Sequence, residues 1–479
     1  MELPKLTSWR LSLCAAAFFL VVSASSAQVA ITHVTVIDGS GRAQQPEQTI
    51  VIEKGRIAAI GPDALVKPPS HAQIIDGLGK FLIPGLWDMH VHLAGVSADP
   101  AWSKQVLLPL LLAYGITGVR DMGGDLQILV SWRREIESGT LLGPRIIASG
   151  PWLAEGGKKT SEQFPVANSD EARSAVRELK RRGADFIKVI SLPSREAFFA
   201  VADEAKRENL PYAGHLPIEI SALEASNVGI HSIEHLYYSA FALSCSSKEE
   251  ELRKRLIERG KRGEASVWNE ILFEAEATYD PEKANALWGA LKKNATYVTP
   301  TLASLDITAH PEDQSAQNPL LAFVPPQLAK EWRDSLGNDE LKKRAGSLWR
   351  VAANDWKLTA EMRHAGVPLL AGSDSLDPFV FPGDSLHREL AELVRDGFTP
   401  AEALRTATLG AAEFLGRASE LGSIEKGKIA DLVLLDANPL EDIGNTRRIS
   451  AVIRSGKYLD RAALDKLLRD ARSAAAAVQ

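Results

Sequence analysis

The chain has 479 residues, 45% hydrophobic and 24% charged, with 35 Gly, 25 Pro and 2 Cys. That balance excludes a disordered, collagen-like or disulfide-scaffolded chain, and a formal net charge of -6 without a long Lys/Arg run excludes a nucleic-acid footprint. The length fits two or three domains, or one large barrel with additions, acting on a small-molecule or peptide ligand.

Residues 1–27 carry Lys5 and Arg10, then an apolar run over 11–22, then small residues ending at Ala27. This order predicts a secretory signal peptide cleaved after Ala27. The run is shorter than the roughly 20 residues that span a bilayer, so no stable membrane anchor is expected after cleavage. The expected location is outside the cytoplasm of a bacterium, periplasmic or secreted, and the mature chain keeps a single cysteine, Cys245.

Residues 28–83 hold short β-branched runs (ITHVTVID, TIVIEKGRIAAIG, AQIIDGLGKFLI) broken by Gly, Pro and Asp, and residues 419–479 repeat that texture before a C-terminal helix. The turns EKG and SGK suit hairpins. Both ends of the chain are therefore predicted to build one small composite β-sandwich. Between them, residues 84–418 alternate apolar strands with helical stretches, the pattern of parallel βα units. Eight strands can be counted: LIPGLWDMHVHL, GITGVRDM, PRIIASG, DFIKVI, LPYAGH, IHSIEH, YVTPTL and VPLLAGSD. The predicted class is α/β, with a (β/α)8 TIM barrel. Gly183 and Gly366 sit where helices should stop. The charged helical stretches 246–294 and 325–365 read as peripheral, lid-like insertions with solvated faces.

The chemistry gathers at the strand ends. His90 and His92 lie two apart on the first strand, so both imidazoles face the same way and can grip one metal ion. Lys188 ends the fourth strand among apolar neighbours, where an unpaired ammonium is costly. His215, His235 and Asp374 end the fifth, sixth and eighth strands. Barrel active sites collect at the carboxyl ends of strands, so these six side chains should converge.

This set, with the wording PGLWDMHVHL, GITGVRDMGG, DFIKVI, SIEHLYY, LLAGSDS, TPAEALRTATLGAAEFLG and GSIEKGKIADLVLLDANPL, resembles the amidohydrolase superfamily, in particular its imidazolonepropionase-like and Xaa-Pro dipeptidase branch. The resemblance implies two divalent metal ions, usually zinc. It also implies that carbon dioxide carboxylates Lys188, giving a carbamate that bridges them. His90, His92 and Asp374 would hold one ion, and His215 and His235 the other. A hydroxide shared by the two metals would attack, and Asp374 would take its proton and pass it to the leaving amine. The implied reaction is hydrolysis of an amide-type C–N bond in a dipeptide, N-acyl amino acid or similar small substrate.

Tyr238, three residues past His235, resembles a tyrosine with which dipeptide-cleaving relatives hold the substrate carboxylate or the oxyanion. Arg120 either pairs with Asp121 or receives a substrate carboxylate, and His387 is a further candidate facing the substrate. His231, deeper on its strand, reads as a packed histidine. Many dipeptidase-like relatives carry a histidine after strand three, where this chain reads SGPWLAEGGKKTSEQ; Trp152, Lys158 and Lys159 are the candidates to replace it. The alternatives are a mononuclear deaminase or cyclic-amide hydrolase on the same barrel, and a catalytically silent scaffold. Lys188 weighs against the first and the complete ligand set against the second. No G-x-S-x-G elbow supports a serine hydrolase. The expected partner is a small-molecule or dipeptide substrate, with no nucleic acid, and homo-oligomerisation is left open.

Overall fold

The computed structural model describes residues 28–95, 99–192, 194–264 and 266–478, with only the backbone of residues 339–344. The predicted signal peptide lies outside the described residues. In chain order the strands are β1 (Val29–Val36), β2 (Gln45–Glu53), β3 (Arg56–Pro62), β4 (Gln73–Asp76), β5 (Phe81–Pro84), β6 (Leu86–Val91), β7 (Ile116–Asp121), β8 (Arg145–Ala148), β9 (Trp152–Glu155), β10 (Gln163–Val166), β11 (Ile187–Val189), β12 (Tyr212–Gly214), β13 (Ser232–Glu234), β14 (Tyr297–Thr299), β15 (Leu432–Leu435), β16 (Ile449–Arg454) and β17 (Lys457–Asp460).

The two ends of the chain meet in one eight-stranded sheet of order β17-β16-β15-β5-β1-β2-β3, with β4 beside β1. Pairing of β5 with β15 joins residues more than 300 apart in sequence, Leu432 opposite Pro84 and Leu435 opposite Phe81. The path folds over until Arg56 of β3 bridges Ile429. Ile31, Val34, Val36, Ile50, Leu82, Leu432, Leu434 and Ile453 then fill a shared core, each from the inward face of a β-branched or leucine-rich strand. The turns Lys54-Gly55 and Ser455-Gly456 have positive φ at both residues, the geometry a two-residue hairpin needs to match strand twist. The C-terminal helix Arg461–Ala477 leaves this sheet and packs on the barrel helix Leu108–Ala113.

The barrel strands fall where the sequence places them. β6, β7 and β8 pair in parallel, as do β9, β11, β12, β13 and β14. A few hydrogen bonds complete the ring. Residues 368–371, the eighth strand, bond to Val298 on one side, through Val298 N to Pro368 O at 3.1 Å, and to Met89 on the other, through Met89 N to Ala371 O at 3.0 Å. Asp185 spans the seam between β8 and β11, its N donating to Ala148 O at 2.8 Å and its carboxylate accepting from Ala148 N at 2.8 Å. The helix Ser169–Arg182 starts on an Asn168 cap and stops at Gly183 in the left-handed region. The charged stretch 246–294 forms the helices Glu249–Lys261, Val267–Ala277 and Pro281–Lys293. The first two of these share a small core with Ala240 and Leu243, just beyond β13.

Barrel closure brings β11 and β12 very close. At Gly214 the φ is +137° and a Cβ would lie 2.0 Å from Val189 O, between the strand of Lys188 and the turn into His215. Gly214→Ala should destabilise the fold by about 2–4 kcal/mol, the range of strained backbone substitutions. Denaturant unfolding checks this, and an unchanged midpoint would mean that the two strands can separate freely.

Candidate active site

His90 ends β6, His235 follows β13 and Asp374 follows the eighth strand, all at the carboxyl end of the barrel. His90 Nε2 lies 3.4 Å and His92 Nε2 3.3 Å from Asp374 Oδ1, and His235 Nε2 lies 3.6 Å from Asp374 Oδ2. One ligand atom from each of His90, His235 and Asp374 falls within 4.8 Å of the others. The His215 ring stands 5.0 Å from that of His235. Lys188 is buried next to them, within electrostatic range of Asp374 and Glu234.

What the opposite nitrogens do decides the chemistry. His90 Nδ1 donates to Glu234 Oε2 at 2.9 Å, His92 Nδ1 to Gly123 O at 3.1 Å, and His235 Nδ1 to Thr301 Oγ1 at 2.6 Å. The Thr301 hydroxyl gives its own proton to Pro300 O at 2.7 Å, so it can only accept from His235. In its neutral form each imidazole is thereby fixed as the tautomer whose Nε2 lone pair faces Asp374. With all three rings neutral, their Nε2 lone pairs and the carboxylate make the donor set of a cation.

The electrostatics agree. Burial lowers His90 and His215 well below their usual value and His235 to about 4, so these rings are neutral, the ligating form. His92 is the exception: burial lowers it, yet its hydrogen bond and charge interaction with Asp374 raise it on balance. Burial acts to raise Asp374, but His90, His235 and His92 outweigh it and hold the carboxyl far below its usual range. Burial lowers Lys188 to about 8, and among the described residues no hydrogen bond or ion pair holds its Nζ.

Backbone strain accompanies the ligands. His235, Thr301 and Asp374 have φ of 54°, 53° and 50°, left-handed values that cost non-glycine residues about 1–3 kcal/mol each.

Tyr238 is half-exposed beside this cluster, its ring stacked on His215 at 5.6 Å and edge-on to His235 at 5.5 Å. Three expectations need correction. Arg120 is not at the substrate surface and does not pair with Asp121. It is fully buried, donating to Glu234 Oε1 at 2.8 Å, Ser232 Oγ at 2.7 Å and Met89 O at 2.6 Å, because its strand points it into the barrel interior. His387 is also buried away from the site. Its Nδ1 lies 2.8 Å from Thr446 Oγ1 and its Nε2 3.0 Å from Tyr114 O, tying a barrel helix to the terminal domain. Lys158 and Lys159 are exposed, and Lys159 pairs with Glu178 at 2.9 Å; of these three candidates, Trp152 alone lines the site, 6.3 Å from His92. His231, as expected, is packed, stacked on Phe414 at 4.1 Å.

Glu234 was not singled out, yet it orients His90 and neutralises Arg120. A signal existed: an acid in SIEH and a base in GVRD, each inside an otherwise apolar strand, need one another. Asp88 was also missed. It accepts from Ser373 N at 2.9 Å and Ser373 Oγ at 2.6 Å, pinning the first strand to the eighth.

The model of the amidohydrolase family matches residues 81–459, and the chain belongs to that family. It is an enzyme of the hydrolase class acting on carbon–nitrogen bonds. It is 24% identical over 520 residues to ochratoxinase of Aspergillus niger, covering 95% of this chain and 91% of that protein. Over 424 residues it is 26% identical to an imidazolonepropionase of Geobacillus kaustophilus, covering 86% and 89%. Among solved structures, bottromycin amidohydrolase superposes with a TM-score of 0.70 at 23% identity, covering 94% of this chain and 90% of that one. A Xaa-Pro dipeptidase with bound methionine gives 0.66 at 23%, covering 91% and 100%. Those two likenesses speak to the fold.

Replacing Arg120 by Met should leave Glu234 as an unpaired buried charge and cost about 3–5 kcal/mol of stability, with loss of bound metal as His90 loses its anchor. Calorimetry and metal analysis check this. A raised KM with unchanged stability would instead return Arg120 to the substrate pocket.

Proposed function

We propose that this enzyme hydrolyses an amide-type C–N bond in a small substrate, a dipeptide, an N-acyl amino acid or a similar amide, with two divalent metal ions, zinc by the character of the donors. His90, His92 and Asp374 would hold one and His215 and His235 the other, with Lys188, carboxylated by carbon dioxide, between them. The observation that carries the reading is the convergence of three Nε2 atoms on Asp374, each imidazole locked from behind by a protein acceptor. Bound there, the ions supply Lewis acidity for the scissile carbonyl and acidify a water.

The chain's own groups do the rest. Asp374, kept ionised by its histidines, accepts the proton of the attacking water and delivers it to the leaving nitrogen, so the amine departs neutral and the carboxylate is regenerated. Lys188, buried and without a hydrogen-bond partner among the described residues, is held as an amine that can capture carbon dioxide at moderate pH. The Tyr238 ring, stacked on His215, offers its hydroxyl to the substrate carboxylate or oxyanion. A one-metal enzyme on this barrel would have no use for Lys188, and its burial without a hydrogen-bond partner among the described residues favours the two-metal reading. The composition of residues 1–27 supports an exported enzyme, periplasmic or secreted.

Two outcomes follow. Chelation should abolish turnover and zinc should restore it, with two ions per chain in the wild type and a loss of at least about 10³-fold in kcat for Lys188→Ala, the scale of removing a transition-state-stabilising group; one ion per chain with an active Lys188→Ala would contradict the proposal. The second outcome concerns pH. Because burial lowers Lys188 to about 8 and only the neutral amine captures carbon dioxide, the reactive fraction grows as pH rises through that value. At fixed dissolved carbon dioxide, zinc reconstitution should run more than about tenfold faster at pH 8.5 than at 6.5, the ratio expected for a group of that pKa. A pH-independent rate would remove Lys188 from the assembly.

A further inference from the structure

Beside the metal ligands lies a cavity of about 180 Å³, its walls including His92, Trp152, Glu162, Asp374, Leu376 and Asp377. Glu162 is 6% exposed, and its Oε2 has no hydrogen-bond partner among the described residues. A buried carboxylate oxygen without a donor carries an uncompensated desolvation cost, so its position calls for a donor brought from outside. Among the described residues no Lys or Arg lines the cavity. The cations nearest in sequence are turned elsewhere: Lys158 is exposed, and Lys159 pairs with Glu178 and lies over the Phe164 ring.

Trp152 is fixed next to this acid. Its N donates to Glu162 O at 2.7 Å. Its ring packs so tightly on Gly123 that a Cβ there would fall 2.3 Å from it, and it stands edge-on to His92. Gly123 also holds His92 through its carbonyl, so the aromatic wall and the metal ligand share one support. A carboxylate and an indole around one small space are two groups that receive an ammonium, the first by charge-assisted hydrogen bonds and the second through its π face.

We propose that Glu162 and Trp152 form a subsite for a cationic, ammonium-bearing part of the substrate, so that the preferred amides carry a free or basic amine close to the scissile bond. The inference rests on the amide-hydrolase reading for the meaning of substrate, and on the cavity alone for the ligand class. The ammonium would donate to Glu162 and lie against Trp152 while the scissile carbonyl reaches the metal ligands.

The test uses the full zinc-loaded chain as wild type, Glu162→Gln and Trp152→Leu. Calorimetric titration at pH 7 compares phenethylamine with its neutral isostere 2-phenylethanol. The wild type should bind the amine at least about tenfold more tightly, the value of a hydrogen bond to a charged group. That preference should fall below about threefold in Glu162→Gln, with the zinc content unchanged, and weaken in Trp152→Leu. Equal affinity for the two probes, a preference that survives Glu162→Gln, or loss of zinc from Glu162→Gln, which would make Glu162 a ligand, each overturns the proposal. A second arm compares alanylproline with N-acetylalanylproline. Faster turnover of the free amine, lost in Glu162→Gln, supports the subsite, and equal or faster turnover of the acetylated form opposes it. If neither is hydrolysed, the dipeptide reading fails, and the amine titration still decides the subsite.

Discussion

The site depends on one arrangement: the Asp374 carboxylate surrounded by three imidazole nitrogens whose partner nitrogens are all committed elsewhere. Glu234, the Gly123 carbonyl and the Thr301 hydroxyl each take an Nδ1 proton. Remove these acceptors and the histidines are free to flip, so that neither nitrogen is committed to face Asp374. With them, the cluster is poised to bind one. Beneath it Arg120 neutralises Glu234 in the barrel interior, so the tautomer of His90 is controlled by an ion pair formed by two other strands.

The barrel supplies this geometry at a local cost. His235, Thr301 and Asp374 occupy left-handed backbone conformations immediately after their strands, where the chain turns sharply to aim side chains across the barrel mouth. Residues so strained persist only where surrounding contacts over-determine them. Here these are the ring-closing hydrogen bonds, including Asp374 N to His90 O at 2.9 Å and His235 N to Thr299 O at 2.9 Å, together with the Asp88–Ser373 link. The terminal sheet contributes from below: β15 extends β5, which leads directly into β6 and thus into His90.

Much of this is legible in the sequence because strand periodicity is local. His90 and His92 share a face by their spacing, and the barrel rule then places Lys188, His215, His235 and Asp374 at the same end without knowledge of any contact. The composite domain is legible from repeated β texture at both ends. What local pattern does not reveal is the direction of charged residues inside strands. Arg120 reads as a candidate for substrate because a guanidinium is rarely buried, and only the arrival of Glu234 from β13 makes burial affordable. His387 is decided by Thr446, a residue of the terminal domain. The loop after the third strand misleads because Lys158 and Lys159 are its conspicuous charges, whereas the acid that reaches the site is Glu162, three residues after Lys159.

The most direct test of the account is an anomalous-diffraction map at the zinc edge from crystals of the zinc- and bicarbonate-reconstituted protein. Two peaks about 3.5–4 Å apart, flanked by His90, His92, His215, His235 and Asp374 and joined by density extending from Lys188 Nζ, are the predicted result. A single peak with an unmodified Lys188, or zinc bound away from Asp374, would contradict it.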